Sequence, residues 1–143
     1  MPFETRGHVA LAGTFGYELD VTRIPEEDRN MIPDQVKMYH KYNDLVRTGD
    51  YYRIANYDEN GDLDAYMVVS KDKSEALVTA VSVHARLSMP SRHIKLKGLE
   101  PHAFYKDEET NARYTGSALM YAGLTLAGLN GDFKSRLIHL IKE

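Results

Sequence analysis

Apolar residues recur with two different periods along this chain, and the change falls near residue 49. In residues 3 to 12, Phe3, Val9, Ala10 and Leu11 sit among good helix formers, which predicts a short helix ending at Gly13. Phe15, Tyr17 and Leu19 then alternate with polar residues, so Gly13–Asp20 is expected as a short buried strand, its two glycines allowing close backbone approach. Pro25 marks the start of a second helix, with Glu26, Glu27 and Asp28 in the first turn, where the helix dipole favours anions. Ile32, Val36, Tyr39, Leu45 and Val46 give it one apolar stripe as far as Arg47. Pro33 either kinks this helix or starts its main part, and Gly49 is its expected stop.

From Asp50 onward the period becomes that of a pleated strand. Tyr51–Tyr57 and Ala65–Ser70 flank Asn60-Gly61 as a predicted hairpin, and Glu75–His84, the most apolar run, is expected in the middle of the sheet. Arg92–Lys97 alternates strictly, so one face should be buried and one wet. His102–Asp107 and Asn111–Gly116 form a second predicted hairpin, Ser117–Leu129 a loop or one-turn helix, and Arg136–Ile141 a closing strand. Helix, strand and helix followed by many short strands predict a mainly β chain: residues 1–49 as one unit, and residues 50–143 as an antiparallel β-sandwich.

Composition narrows the functional classes. The chain has 143 residues, 43% hydrophobic and 27% charged, enough for one sizeable core. A net charge of -3 with interspersed signs leaves no basic footprint for nucleic acid. No apolar run approaches the length of a membrane span, and the N-terminus lacks the order of a signal peptide, which makes a cytoplasmic location the expectation. With no cysteine there is no disulfide or thiol chemistry.

Four groups of residues carry candidate chemistry. Glu18 and Asp20 lie two apart at the end of the predicted strand and point the same way, as a glycosidase pair would, but capping and hydrogen bonding are the preferred reading. His8, His40, His84, His93, His102 and His139 show no metal spacing, so no metal or cofactor is expected. Tyr51, Tyr52, Tyr57 and Tyr66 crowd the first hairpin and are read as strand tyrosines in preference to a sugar-stacking platform. Asp58–Asp62 lacks the spaced ligands of a calcium loop and is read as a solvated turn.

Glu4-Thr5-Arg6, Val9-Ala10, Gly13–Asp20 and the run Tyr39–Arg53, in that order, resemble the C-terminal part of α-galactosidases of glycoside hydrolase family 36. Val69–Leu77, Leu96–Leu99, Leu119-Met120, Gly123-Leu124 and Gly131–Leu137 extend the resemblance over essentially the whole chain. One departure is Pro25, where the family typically has a serine-like cap. The resemblance implies that residues 1–49 are the last helix, strand and helix of a (β/α)8 barrel, and residues 50–143 the family's C-terminal β-domain. It also implies a parent enzyme that hydrolyses terminal α-galactosides with retention, using two aspartates on earlier barrel strands. No catalytic residue carries over, because no segment here matches those strands.

The resulting expectation is a structural and oligomerisation segment, inactive alone. Its partners would be the remainder of an α-galactosidase chain or a second copy, with an α-galactoside as a further candidate ligand. The alternative is a free-standing carbohydrate-binding or interaction module. Whether Met1 is a natural start is left open by the residues themselves.

Overall fold

The computed structural model describes residues 1–85 and 91–143. Its centre is a six-stranded antiparallel sheet covered on one face by two helices and on the other by a small second sheet. The elements are α1 (Phe3–Ala10), α2 (Glu26–Thr48), β1 (Asp50–Ala55), α3 (Tyr57–Asn60), β2 (Leu63–Val69), β3 (Glu75–Ser82), β4 (Arg92–Ile94), β5 (Phe104–Asp107), β6 (Arg113–Thr115), a π-helical turn over Ala118–Ala122, β7 (Leu124–Leu126) and β8 (Lys134–Lys142). The large sheet runs β1-β2-β3-β8-β5-β6, and β4 pairs with β7 in the small one.

Alternation along each strand sends two sets of side chains to opposite faces. Ala65, Met67, Val69, Ala76, Val78, Ile138 and Leu140 face the small sheet and form one core with Ile94, Leu96, Leu124 and Leu126. This face makes the chain a β-sandwich. Tyr105 is fully buried there, its hydroxyl donating to Lys73 O at 2.9 Å and accepting from Glu100 N–H at 3.0 Å. On the other face Val68 and Leu77 meet Leu11, Tyr42 and Leu45 in a second core, with Phe15, Tyr39 and Leu137 at its margin.

Most predicted elements appear within a residue or two of their expected ends, and β3 lies inside the sheet as its apolar run requires. Ile94 and Leu96 are buried while His93, Lys95 and Lys97 are exposed, as the strict alternation demands. β8 joins the interior, between β3 and β5. The connection from β1 to β2 is a single helical turn in place of a two-residue turn: Asn56 caps α3, and Gly61 closes it in the left-handed region at φ 76°. The next turn is tied by Asp72, which accepts from Ser74 Oγ and N–H and from Ser70 Oγ; these bonds hold its carboxyl down at about 2.

The strand expected over Gly13–Asp20 is a correction. These residues carry no ladder pairing, since no described strand lies alongside to accept their backbone bonds. Phe15 and Tyr17 still turn inward by alternation, and Phe15 stacks on Tyr39 at 5.1 Å. Gly13 and Gly16 face open space within 4 Å, so they mediate no close approach. Close approach occurs at Gly7, where a Cβ would stand 2.6 Å from the Gln35 side chain. Pro25 occupies the cap position, one residue before the helix, and α2 continues through Pro33 to Thr48.

Candidate functional site

Asp20, one of the two carboxylates weighed as a pair, is engaged by its own turn. It accepts from Thr22 N–H at 3.0 Å and Thr22 Oγ1 at 2.6 Å and pairs with Arg23 at 3.2 Å. The Thr22 bonds hold its carboxyl below the ordinary range. Glu18 is exposed and lines a small hollow of about 130 Å³ with Phe3, Arg6 and Phe15. The tyrosines divide between faces. Tyr51 and Tyr66 stack at 5.7 Å on the helix-side face, Tyr52 packs into the sandwich core, and Tyr57 stands against His84. In the acidic turn, Asp62 pairs with Arg92, and Asn60 Oδ1 accepts from the N–H groups of Asp62 and Leu63. Among the described residues no three His, Asp or Glu side chains form a group able to hold a metal ion.

What the fold does build is a polar seam where α1 and α2 meet β8. It encloses a cleft of about 440 Å³, lined by Glu4, His8, Lys37, Lys41, Tyr42 and Arg136 among others. At its α1 end, buried Thr5 donates from Oγ1 to Phe133 O at 2.7 Å, so the Ser135 hydroxyl, 2.8 Å away, must donate to Thr5. His8 Nδ1, 2.8 Å from Ser135 Oγ, must then carry its proton and donate to that oxygen. The relay runs from His8 to Ser135 to Thr5 to a carbonyl, with the serine proton directed away from the histidine. Ser135 is therefore positioned as a structural link, since a nucleophile needs its proton on the base. Burial also pushes the His8 imidazole below its ordinary value, keeping it neutral.

At the other end of the seam, Glu108 Oε2 accepts from Lys41 Nζ at 2.5 Å and lies 2.8 Å from His139 Nδ1, while His139 Nε2 lies 2.9 Å from Glu75 Oε2. The lysine bond, with the imidazole contact second, holds the Glu108 carboxyl below its ordinary range. Arg136 joins Glu109 at 2.9 Å and Ala127 O at 3.1 Å. Gln35, buried on α2, completes the seam by donating to Phe3 O at 2.9 Å and accepting from Tyr17 OH at 2.7 Å. Glu108 and Glu109 thus serve to dock helices and hairpins.

The periodicities identified neither Gln35, Thr5 and Ser135 nor the trio of Glu75, Glu108 and His139. The sequence signals available were a glutamine on the buried side of α2 and a histidine inside an apolar strand.

A helix-backed antiparallel β-domain, joined to its helices by a polar seam, defines the structural class. The chain belongs to glycosyl hydrolase family 36: the family model for the "Glycosyl hydrolase family 36 C-terminal domain" matches residues 63–140, and the "Melibiase" model matches residues 1–49. It is 42% identical to alpha-galactosidase AgaA of Geobacillus stearothermophilus over 96% of this chain and 18% of that protein. It is 36% identical to the bifunctional alpha-galactosidase/sucrose kinase AgaSK of Mediterraneibacter gnavus, over 93% of this chain and 14% of that protein. The galactosidase domain of AgaSK superposes with a TM-score of 0.95 at 34% identity, covering 100% of this chain and 20% of that one. The chain thus spans about a fifth of the length of the solved relatives it matches. No described helix is long and apolar enough to cross a membrane.

Proposed function

We propose that residues 1–49 supply the last elements of a (β/α)8 barrel and residues 50–143 the C-terminal β-domain of a retaining α-galactosidase acting on terminal α-galactosides. In this reading the stretch contributes no catalytic carboxylate; it supports the barrel and its assembly. The observation that carries the reading is the order of the two family matches, melibiase first and C-terminal domain second, over a chain whose strand-end acid Asp20 is tied into a turn.

The purified 143-residue chain is expected to release no nitrophenol from an aryl α-galactoside above a blank. Turnover that survives removal of host enzymes and is lost in Glu18→Gln or Asp20→Asn would overturn the proposal.

Assembly is the second part of the reading. Val9, Leu19 and Val21 are 41%, 38% and 42% exposed, and Gly13–Asp20 carries no strand pairing among the described residues, so this side suits packing against further barrel elements or a second copy. Phe3 and Leu11 are buried within the chain itself, so the contact is smaller than the apolar sequence alone suggests. Light scattering should give a mass of a dimer or larger at high concentration, falling when Val9 and Val21 are both changed to Lys. A monomer at every concentration is the contrary result.

A further inference from the structure

We propose that His139, held between Glu75 and Glu108, is an imidazolium latch that fastens α2 to the sheet and releases it when the ring loses a proton. The latch joins four parts of the fold. His139 lies on β8, Glu75 opens β3, and Glu108 follows β5, its N–H bonded to His139 O at 3.0 Å. Lys41 reaches from α2 to the same Glu108 oxygen, and Tyr42 presents its ring to the imidazole edge-on at 5.0 Å. The load path therefore runs from α2 through Lys41, Glu108 and His139 to Glu75 and β3.

The chemistry follows from counting donors. A neutral imidazole has one N–H, whereas both ring nitrogens here face carboxylate oxygens, at 2.8 and 2.9 Å. Only the doubly protonated ring donates to both. Once neutral, it turns a lone pair toward a carboxylate in a place where its side chain is 8% exposed, so water cannot substitute without opening. Glu75 and Glu108, with side chains 40% and 43% exposed, are the groups able to swing outward. If Glu108 moves, Lys41 goes with it, and α2 loses its polar tie to the sheet.

The ionisable groups facing the ring are Glu75 from β3, Glu108 from the segment after β5, and Lys41 and Tyr42 from α2. Burial raises the Tyr42 phenol, which stays neutral, and the Glu108 bond raises Lys41, which stays charged. Glu108, lowered by Lys41 and then by His139, contributes stability above its ordinary value of 4.5 and loses it as pH falls through the lowered one. The imidazolium contributes in the opposite sense: its two bonds are present while both ring nitrogens carry protons, and one is lost when either proton leaves. The latch therefore holds over a window bounded on both sides.

The test is hydrogen exchange on the 143-residue chain, reading α2 amides from Lys41 to Arg47 against β3 amides in the same sample. That ratio cancels the intrinsic pH dependence of exchange. Protection of α2 relative to β3 is expected to fall about tenfold across the pH interval in which nitrogen NMR shows the His139 ring losing its second proton. In Glu75→Gln the fall should vanish, because the amide can donate to the lone pair that a neutral ring presents. Glu108→Gln also removes the carboxylate that Lys41 reaches, so it should lower α2 protection at every pH while likewise abolishing the fall, and it serves where the first variant folds poorly. Nitrogen NMR of the His139 ring should show both nitrogens protonated at the lower pH. A protection ratio independent of pH in the wild type, an equal fall in the glutamine variants, or a neutral ring with both contacts intact would each overturn the latch.

Discussion

Gly116→Ala is expected to unfold the chain or cost about 3 kcal/mol or more, the upper range of overpacking. A Cβ at this position would lie 2.0 Å from Glu100 O and 2.8 Å from Glu100 C, far inside contact distance and against backbone, which cannot rotate away. The crowding is fixed by hydrogen bonds on either side, Gly116 N–H to Ala103 O and Ser117 N–H to Pro101 O, both at 2.9 Å. Relief by sliding the chain would break these and press on Tyr105, whose ring is 3.3 Å from the added carbon and fills the sandwich core. Gly13→Ala and Gly16→Ala are the controls. Neither meets an atom within 4 Å, so each should leave the melting temperature unchanged or raise it slightly by reducing unfolded-state freedom. Thermal melts of the three variants decide the matter: a Gly116→Ala melt within a degree or two of the controls would contradict the packing described.

That contrast also marks what the residues alone disclose. Glycine spacing at Gly13 and Gly16 resembles a close-approach strand, yet the close approaches are at Gly7, Gly49, Gly98 and Gly116, because which side chain or backbone passes nearby is a property of the assembled fold. Period-two alternation located β1, β2, β3 and the buried side of Ile94 and Leu96 correctly, since register on a half-buried sheet is set by that pattern. It missed β7, where the alternation of buried Leu124 and Leu126 about exposed Thr125 is only three residues long, and whose partner β4 lies 30 or more residues earlier. It also could not place β8 between β3 and β5, a non-local choice that local propensity does not encode. The seam was the least legible part. Lys41, Glu75, Glu108 and His139 are scattered over almost a hundred positions, and each alone reads as an ordinary surface charge or a strand histidine. Where the sequence offered a carboxylate pair, at Glu18 and Asp20, Asp20 accepts hydrogen bonds within a local turn and caps no helix.

Hydrogen exchange should separate the central strands from residues 13–20 by at least about a thousandfold in protection, the largest contrast expected in this chain. Every residue of β3 from Ala76 to Ser82 has a register partner on β8, and Ala76 to Ser82 also face β2, so its amides open only when the sheet does. Its side chains are buried on both faces, Ala76, Val78 and Ala80 under the small sheet and Leu77 under α2, so local fraying exposes apolar surface at once. Residues 14–18 have no such partners: the bonds nearest them are the turn closing α1, where Gly13 N–H meets Ala10 O at 3.1 Å, and the Asp20 turn. Their hold on the fold comes from side chains, Phe15 on Tyr39 and Tyr17 on Gln35, which restrain position without protecting amides. Protection at residues 14–18 equal to that of β3 would mean that their backbone is paired after all. A second chain adding itself to that edge is the geometry that would do it, and repeating the measurement across a dilution series, where such pairing is lost with mass, distinguishes it from pairing within one chain.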